Sequence, residues 1–183
     1  PLIQDASHAH PTGWDGANLG SLPDVACYSL QGADPSGKPV CGGEGGVATT
    51  GNRDYYERML VYCHLHRKGI EEELTNPAYR VLGNQGLGLK WRAHPLAMAL
   101  ARISLQGVDE RSQRRAENRA RLYDLLDGVA GVRTYRPYLK AQDGGFYGGY
   151  RLFYVPEELG HLPPADYLAA LQAEGVPVLH YRD

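Results

Sequence analysis

Tyr28-Ser29-Leu30-Gln31-Gly32-Ala33-Asp34-Pro35-Ser36-Gly37-Lys38-Pro39-Val40-Cys41-Gly42-Gly43-Glu44-Gly45-Gly46 is the stretch that decides the fold. It continues a short apolar run, Val25-Ala26-Cys27-Tyr28, which reads as a buried strand. It leads into a second run, Val47-Ala48-Thr49-Thr50, read as another strand. Between them lies a glycine-rich loop carrying one lysine, Lys38. A lone loop lysine is ordinarily a solvated charge. Ser29, however, stands at a strand end, where its hydroxyl and amide are free to hold an anion.

Upstream, Leu2-Ile3 reads as a strand ending at Asp5-Ala6-Ser7-His8-Ala9-His10. An acid, a histidine, a serine and a lysine at strand ends are the parts of a pyridoxal phosphate site. A lysine amine forms the Schiff base, an acid pairs with the pyridinium nitrogen, and a hydroxyl takes the phosphate. The lysines are few: Lys38, Lys68, Lys90 and Lys140. A rival use of the same stretch is a metal site built from Asp5, His8 and His10, as in a metal-dependent hydrolase. That reading leaves Lys38 and Gly43-Glu44-Gly45-Gly46 unexplained. Cys63-His64-Leu65-His66 also looks like a metal tract, but a fourth ligand and a paired Cys-x-x-Cys are lacking, so no metal is expected.

Four tetrapeptide-scale motifs occur in a telling order: Asp5-Ala6-Ser7-His8-Ala9-His10, Gly20-Ser21-Leu22-Pro23-Asp24, Tyr28-Ser29-Leu30 with Lys38, and Gly43-Glu44-Gly45-Gly46. A fifth follows at Gly88-Leu89-Lys90-Trp91-Arg92. Together they resemble the DegT/DnrJ/StrS family of sugar aminotransferases. The resemblance implies a fold-type-I, pyridoxal-phosphate-dependent transaminase. Its substrates would be a keto-sugar nucleotide or ketocyclitol, with glutamate or glutamine as amino donor. It implies Lys38 as catalytic Schiff-base residue and proton carrier, Asp5 at the ring nitrogen, Ser7 under the ring, His8 at the ring 3-oxygen and Ser29 on the phosphate. Lys90 stands where the family commonly has an asparagine reaching the phosphate of a partner subunit, which implies a homodimer with shared sites. Eight residues separate Ser29 from Lys38, against four in the family, so the segment before the lysine is read as an insertion that also brings Ser36 near. A sugar dehydratase of the same family would carry histidine in place of Lys38. A non-catalytic relative of the fold is the alternative from another functional class.

The chain has 183 residues, 43% of them apolar, and a net charge near −2. That is the composition of a packed globular protein, with no basic surface for nucleic acid and no apolar run of membrane-spanning length. Cys27, Cys41 and Cys63 have no disulfide spacing, which favours a reducing cytoplasm. Pro1-Leu2-Ile3 and Val176-Pro177-Val178-Leu179 both read as strand interiors, so the expectation is a piece of a larger protein.

The fold class expected is α/β: residues 1–106 as the C-terminal part of a large cofactor-binding domain, mainly a parallel sheet with helices, and residues 107–183 as an incomplete small α+β domain. Pro11 to Pro23 is read as loop, with Trp14 as packing anchor. Asn52 caps a helix whose apolar face is Tyr56, Met59, Leu60 and Cys63. Residues 69–92 are a long connection. His94 to Leu105 is apolar nearly all round, hence a helix buried against both domains or a subunit interface. The helix from Asp109 to Leu126, with Arg111, Arg114, Arg115, Arg119 and Arg121 among acids, is read as solvated and laced with i,i+4 pairs. Val132 to Arg136, Phe146 to Val155 and Val176 to Leu179 are read as strands around a helix starting at Pro164 and ending by Ala173.

Overall fold

The computed structural model describes residues 1–33, 38–64, 69–83, 89–135, 138–142 and 150–179. Ser36, His66, Gly88 and Phe146 lie outside these residues. The elements are β1 (Ile3–Asp5), β2 (Gly13–Trp14), β3 (Ala17–Asn18), β4 (Val25–Ser29), β5 (Gly46–Thr49), α1 (Arg53–Cys63), α2 (Ile70–Glu73), α3 (Pro77–Arg80), α4 (Pro95–Gln106), α5 (Val108–Leu125), β6 (Val132–Thr134), β7 (Ala141–Gln142), β8 (Leu152–Tyr154) and α6 (Pro164–Ala173). They fall into two compact units. One comprises Pro1–Ala116 and Tyr138–Gly149, the other Glu117–Pro137 and Tyr150–Asp183.

In the first unit, β1 runs parallel to β4, with Asp5 opposite Cys27. β5 lies antiparallel on the other side of β4, with Gly46 opposite Ser29. The described sheet therefore holds one parallel and one antiparallel pairing, with β4 in the middle. Ala26 of β4 is fully buried. Asp24 ties the sheet's lower end: its Oδ2 accepts from the Leu2 N–H at 2.6 Å, and its carbonyl accepts from the Thr50 hydroxyl at 2.6 Å.

Two expectations are corrected here. Pro11 to Pro23 is not all loop: β2 and β3 form a hairpin, and β2 also pairs with β7. The hairpin turns on Asp15-Gly16, both at positive φ (52° and 84°), the pairing of residues that a two-residue turn of right-handed twist needs. Trp14 does anchor it, edge-on to Tyr138 at 6.0 Å. The connection after residue 69 contains two single-turn helices, α2 and α3. Asn76 caps α3 with its side chain on the Ala78 N–H, and Pro77 takes the first helical position, where no N–H is needed.

α1 forms as read. The Asn52 side chain accepts from the Asp54 and Tyr55 N–H groups, a cap worth about 1 kcal/mol. Its buried residue is nevertheless Glu57, 1% exposed, while Tyr56, Met59, Leu60 and Cys63 are half-buried. α4 starts at the His94 cap. Met98, Ala101 and Ser104 on one side pack inward, joining a cluster of Leu30, Val40 and Val108. Leu96, Leu100, Ile103 and Leu105 are exposed in this chain, so one side of α4 is covered here and the other is left for the second domain or subunit interface expected of it.

In the second unit, β6 pairs antiparallel with β8, and α6 spans the residues expected of it. Gly131 has no room for a Cβ beside Leu159, so the turn into β6 packs its backbone directly on that leucine. Val176–Leu179 is not a strand: it pairs with no ladder among the described residues, and Gln172 Nε2 caps the Val178 carbonyl at 2.9 Å instead. Among the described residues no helix is long and apolar enough to cross a membrane.

Candidate active site

Parallel pairing puts the C-terminal ends of β1 and β4, hence Asp5 and Ser29, at one edge of the sheet. Open α/β sheets present ligands with binding groups at this edge, because loops leaving parallel strands diverge there. After Asp5 the chain stays pinned to β4, with the Ala6 N–H on the Cys27 carbonyl at 2.8 Å. It then turns back on itself, the Ala9 N–H bonding the Ala6 carbonyl at 2.9 Å. The turn delivers Ser7, His8 and His10 beside the strand end.

Asp5 is exposed, and its Oδ1 accepts both the Ser7 N–H at 3.0 Å and the Ser7 hydroxyl at 2.5 Å. The hydroxyl bond, then the amide bond, lowers its pKa below the ordinary carboxylate value; slight loss of hydration opposes this, and the charges of Lys38 and His8 add to it. Asp5 is therefore an anion at neutral pH, with Oδ2 outside the Ser7 contacts.

Lys38 Nζ lies 2.6 Å from His8 Nε2. At that distance the two nitrogens are hydrogen-bonded, the donor depending on the histidine tautomer. Lys38 itself is half-buried, with its N–H on the Gln31 carbonyl at 3.0 Å. The loop closes through the Gly32–Gly43 bridge. Gly43 and Gly45 have φ of 84° and 135°, so the Gly-Glu-Gly-Gly motif is two left-handed turns that ordinary residues resist.

His10 packs on the Tyr28 ring at 5.0 Å. Both its ring nitrogens are buried and make no well-formed hydrogen bond. Burial lowers its pKa, the Ser29 backbone opposes, and the charges of His8 and Lys38 lower it further. Tyr28 occupies the space a side chain at position 20 would need: a Cβ there would sit 1.6 Å from its hydroxyl, which is why the upstream motif has Gly20.

The structure thus gathers Asp5, Ser7, His8 and Lys38 into one connected group, with His10 behind it. Ser29 stands at the same sheet edge, and its Oγ accepts from the Gln31 N–H at 3.2 Å. Lys90 is held elsewhere. It is exposed and bridges to His64 at the end of α1, with Leu89 N–H on Tyr62 O at 2.6 Å and Trp91 N–H on Cys63 O at 3.0 Å. Among the described residues no three His, Cys, Asp or Glu side chains are grouped so as to hold a metal ion. Ser104 and Arg111, which grip the backbone just after Lys38, carried no local signal. They lie more than sixty residues away, and Arg111 sits among arginines that read as solvated.

The DegT/DnrJ/EryC1/StrS aminotransferase family matches residues 1–180. The chain belongs to this family. It is 30% identical over 134 residues to the 3-amino-5-hydroxybenzoate synthase of Amycolatopsis mediterranei (strain S699), covering 72% of this chain and 31% of that protein. It is 28% identical over 185 residues to the L-glutamine:2-deoxy-scyllo-inosose aminotransferase of Streptomyces fradiae, covering 97% of this chain and 41% of that one. Its fold is that of an aminotransferase from Psychrobacter cryohalolentis, with a TM-score of 0.74 at 21% identity, over 96% of this chain and 46% of that one. The chain therefore spans less than half the length of these relatives. The resemblance read from the five motifs, and the α/β fold of a type-I sugar aminotransferase, are both borne out.

Proposed function

We propose that this chain is part of a pyridoxal-phosphate-dependent aminotransferase that moves an amino group from glutamate or glutamine to a keto-sugar nucleotide or ketocyclitol. The observation that carries the reading is the contact of Lys38 with His8, beside an ionised Asp5, at the carboxyl edge of β1 and β4 in a chain of this family. The residues present fit the cofactor in kind. An amine suits its aldehyde, a carboxylate held as an anion suits a protonated ring nitrogen, and a strand-end hydroxyl suits its phosphate.

Pyridoxal phosphate, when bound, supplies the electron sink that makes the carbon bearing an amino group acidic enough to lose a proton. Lys38 would hold it through the amine, and the same amine, once released, is the base that carries a proton between carbon and nitrogen. His8 keeps that amine in place and takes up or returns a proton at Nε2. Asp5, with Ser7 occupying Oδ1, would offer Oδ2 to the ring nitrogen, and Ser7 would help hold the ring. Ser29 would offer its hydroxyl to the phosphate, and Lys90 would serve the phosphate of a partner subunit, which would make the working form a homodimer with shared sites. Cys27, Cys41 and Cys63 form no disulfide, in keeping with a reducing cytoplasm.

The test is the visible absorption spectrum of the whole protein with pyridoxal phosphate, before and after adding glutamate or glutamine, beside Lys38→Ala. A band that needs Lys38 and bleaches with the donor is expected. A folded protein with no Lys38-dependent band sinks the reading and favours a non-catalytic relative of the same fold.

A further inference from the structure

The loop that carries Lys38 has an asymmetry. On its upstream side eight residues separate Lys38 from the end of β4. On its downstream side it is buried at once: Pro39 is fully buried, Val40 is 4% exposed and Cys41 5%. Pro39 has no N–H, so the peptide following Lys38 can be held only by its carbonyl. The next carbonyl along, that of Pro39, accepts from Arg111 Nη2 at 3.1 Å. The same Nη2 donates to the Ser104 carbonyl at 2.6 Å and the Ser104 hydroxyl oxygen at 3.1 Å. The Ser104 oxygen also accepts the Cys41 N–H at 3.1 Å. The Cys41 thiol donates back to the Lys38 carbonyl at 2.9 Å. The segment from Lys38 to Cys41 is thus stitched to the end of α4 and the start of α5 by one guanidinium and one hydroxyl.

Two glycines make this approach possible by their size. A Cβ at Gly107 would lie 2.6 Å from Arg111 Nη1, and a Cβ at Gly42 would lie 2.8 Å from the Ala97 carbonyl. The first leaves room for the guanidinium between the helices; the second lets the loop rest on the backbone of α4. A charged donor on buried carbonyls is among the stronger hydrogen bonds, and the forked guanidinium suits several acceptors at once.

We propose that Ser104 and Arg111 are positioning residues for the Lys38 amine, holding the backbone downstream of it so that the amine stays against His8. The proposal rests on the reading of Lys38 as the reactive amine. Neither residue touches the site itself. Both act through Pro39 and Cys41, and near-attack placement of a reacting amine is sensitive to shifts of an ångström.

The experiment uses the whole protein stripped of cofactor and follows the rate at which the absorption band forms at saturating pyridoxal phosphate. The variants are Ser104→Ala, Arg111→Met, Lys38→Ala and, as a destabilised control in the same unit, Leu74→Ala. Amide exchange at Cys41 is followed alongside. Ser104→Ala and Arg111→Met are expected to slow band formation about tenfold and to speed Cys41 exchange by a similar factor, the scale of a lost charge-assisted hydrogen bond. Leu74→Ala is expected to stay within about twofold of wild type in band formation, even where it melts earlier. Band formation at the wild-type rate in folded Ser104→Ala, which removes only one hydroxyl, overturns the proposal. So does equal slowing in Leu74→Ala, because the effect would then be one of general stability. A band persisting in Lys38→Ala overturns the underlying reading of Lys38, a failure seen in a different variant.

Discussion

Asp5 and Glu57 are two carboxylates in nearly the same local dress. Each takes a hydroxyl and the backbone N–H of the same neighbour: Ser7 for Asp5, Thr75 for Glu57. In each the hydroxyl is the first cause of a lowered pKa, and Glu57 is brought down to about 2. They differ in what else they meet. Glu57 is 1% exposed, and its remaining capacity is filled by the Asn76 N–H at 2.9 Å and Arg53 Nε at 2.8 Å. Asp5 is exposed, its Oδ2 lies outside the Ser7 bonds where Glu57 Oε2 takes the Asn76 N–H, and a lysine and a histidine stand next to it. A carboxylate held by a hydroxyl and an amide is therefore not in itself a site. Saturation and burial make Glu57 a clamp between α1 and α3, while spare capacity and a neighbouring amine leave Asp5 for a ligand.

The sharpest way to break this comparison is to neutralise each carboxylate in turn. Asp5→Asn is expected to lower kcat roughly 100-fold, the scale of losing one electrostatic partner of the reacting group, with little change in thermal midpoint. Steady-state rates beside a melting curve check it. A cooperative loss of fold in Asp5→Asn would make Asp5 a structural group like Glu57.

Glu57→Gln should do the reverse, lowering the thermal midpoint by several degrees while leaving cofactor binding by the folded protein unchanged. The amide brings donors of its own to a place already supplied with four, so N–H groups at Thr75 and Asn76 lose their anion. The pH dependence has a definite sign. A folded-state pKa near 2 against an ordinary 4.5 means that Glu57 stabilises fully above about 4.5 and loses that contribution as pH falls towards 2. The gap in midpoint between wild type and Glu57→Gln should be widest at neutral pH and close on acidification. A gap independent of pH would remove charge from the explanation.

The same contrast says what could be read from the chain and what could not. Asn52, Pro164 and the β4 and β5 runs were legible because their signals are local: a cap, a first-turn proline, four apolar residues between turns. The site group was legible in kind because its residues sit in short motifs at strand ends. Glu57 was not, since its partners Thr75 and Asn76 lie eighteen and nineteen residues away and a charge on a helix reads as solvent-facing. Arg111 was missed for the same reason, its acceptor Pro39 being seventy-two residues distant, whereas Arg114 does make the expected i,i+4 pair with Glu110. The Asp15-Gly16 turn carried a local signal that the surrounding proline and glycine obscured. Val176–Leu179 had strand composition but found no ladder among the described residues, and α4 had the composition of an interior helix with only one side covered. Composition reports what a segment can bury, and the partner decides whether it does.

The smallest expected effect separates Ser7 from Asp5. Ser7→Ala removes the hydroxyl, the first cause of the lowered Asp5 pKa, and leaves the amide bond, Lys38 and His8 in place. The Asp5 pKa should rise towards its ordinary value yet stay well below neutrality, so at pH 7 the carboxylate remains ionised and kcat changes by no more than about threefold. The change belongs on the acidic side. Because the working form is the anion, a higher pKa moves the acid limb of the pH–rate profile to higher pH, and the variant should lose activity earlier on acidification than wild type. Glu57 offers the matching control: Thr75→Ala raises a carboxylate pKa in the same way but should move the acid limb of stability rather than of rate. If Ser7→Ala leaves the rate profile in place, the acid limb belongs to another group, and the spare oxygen of Asp5 is not what distinguishes it from Glu57.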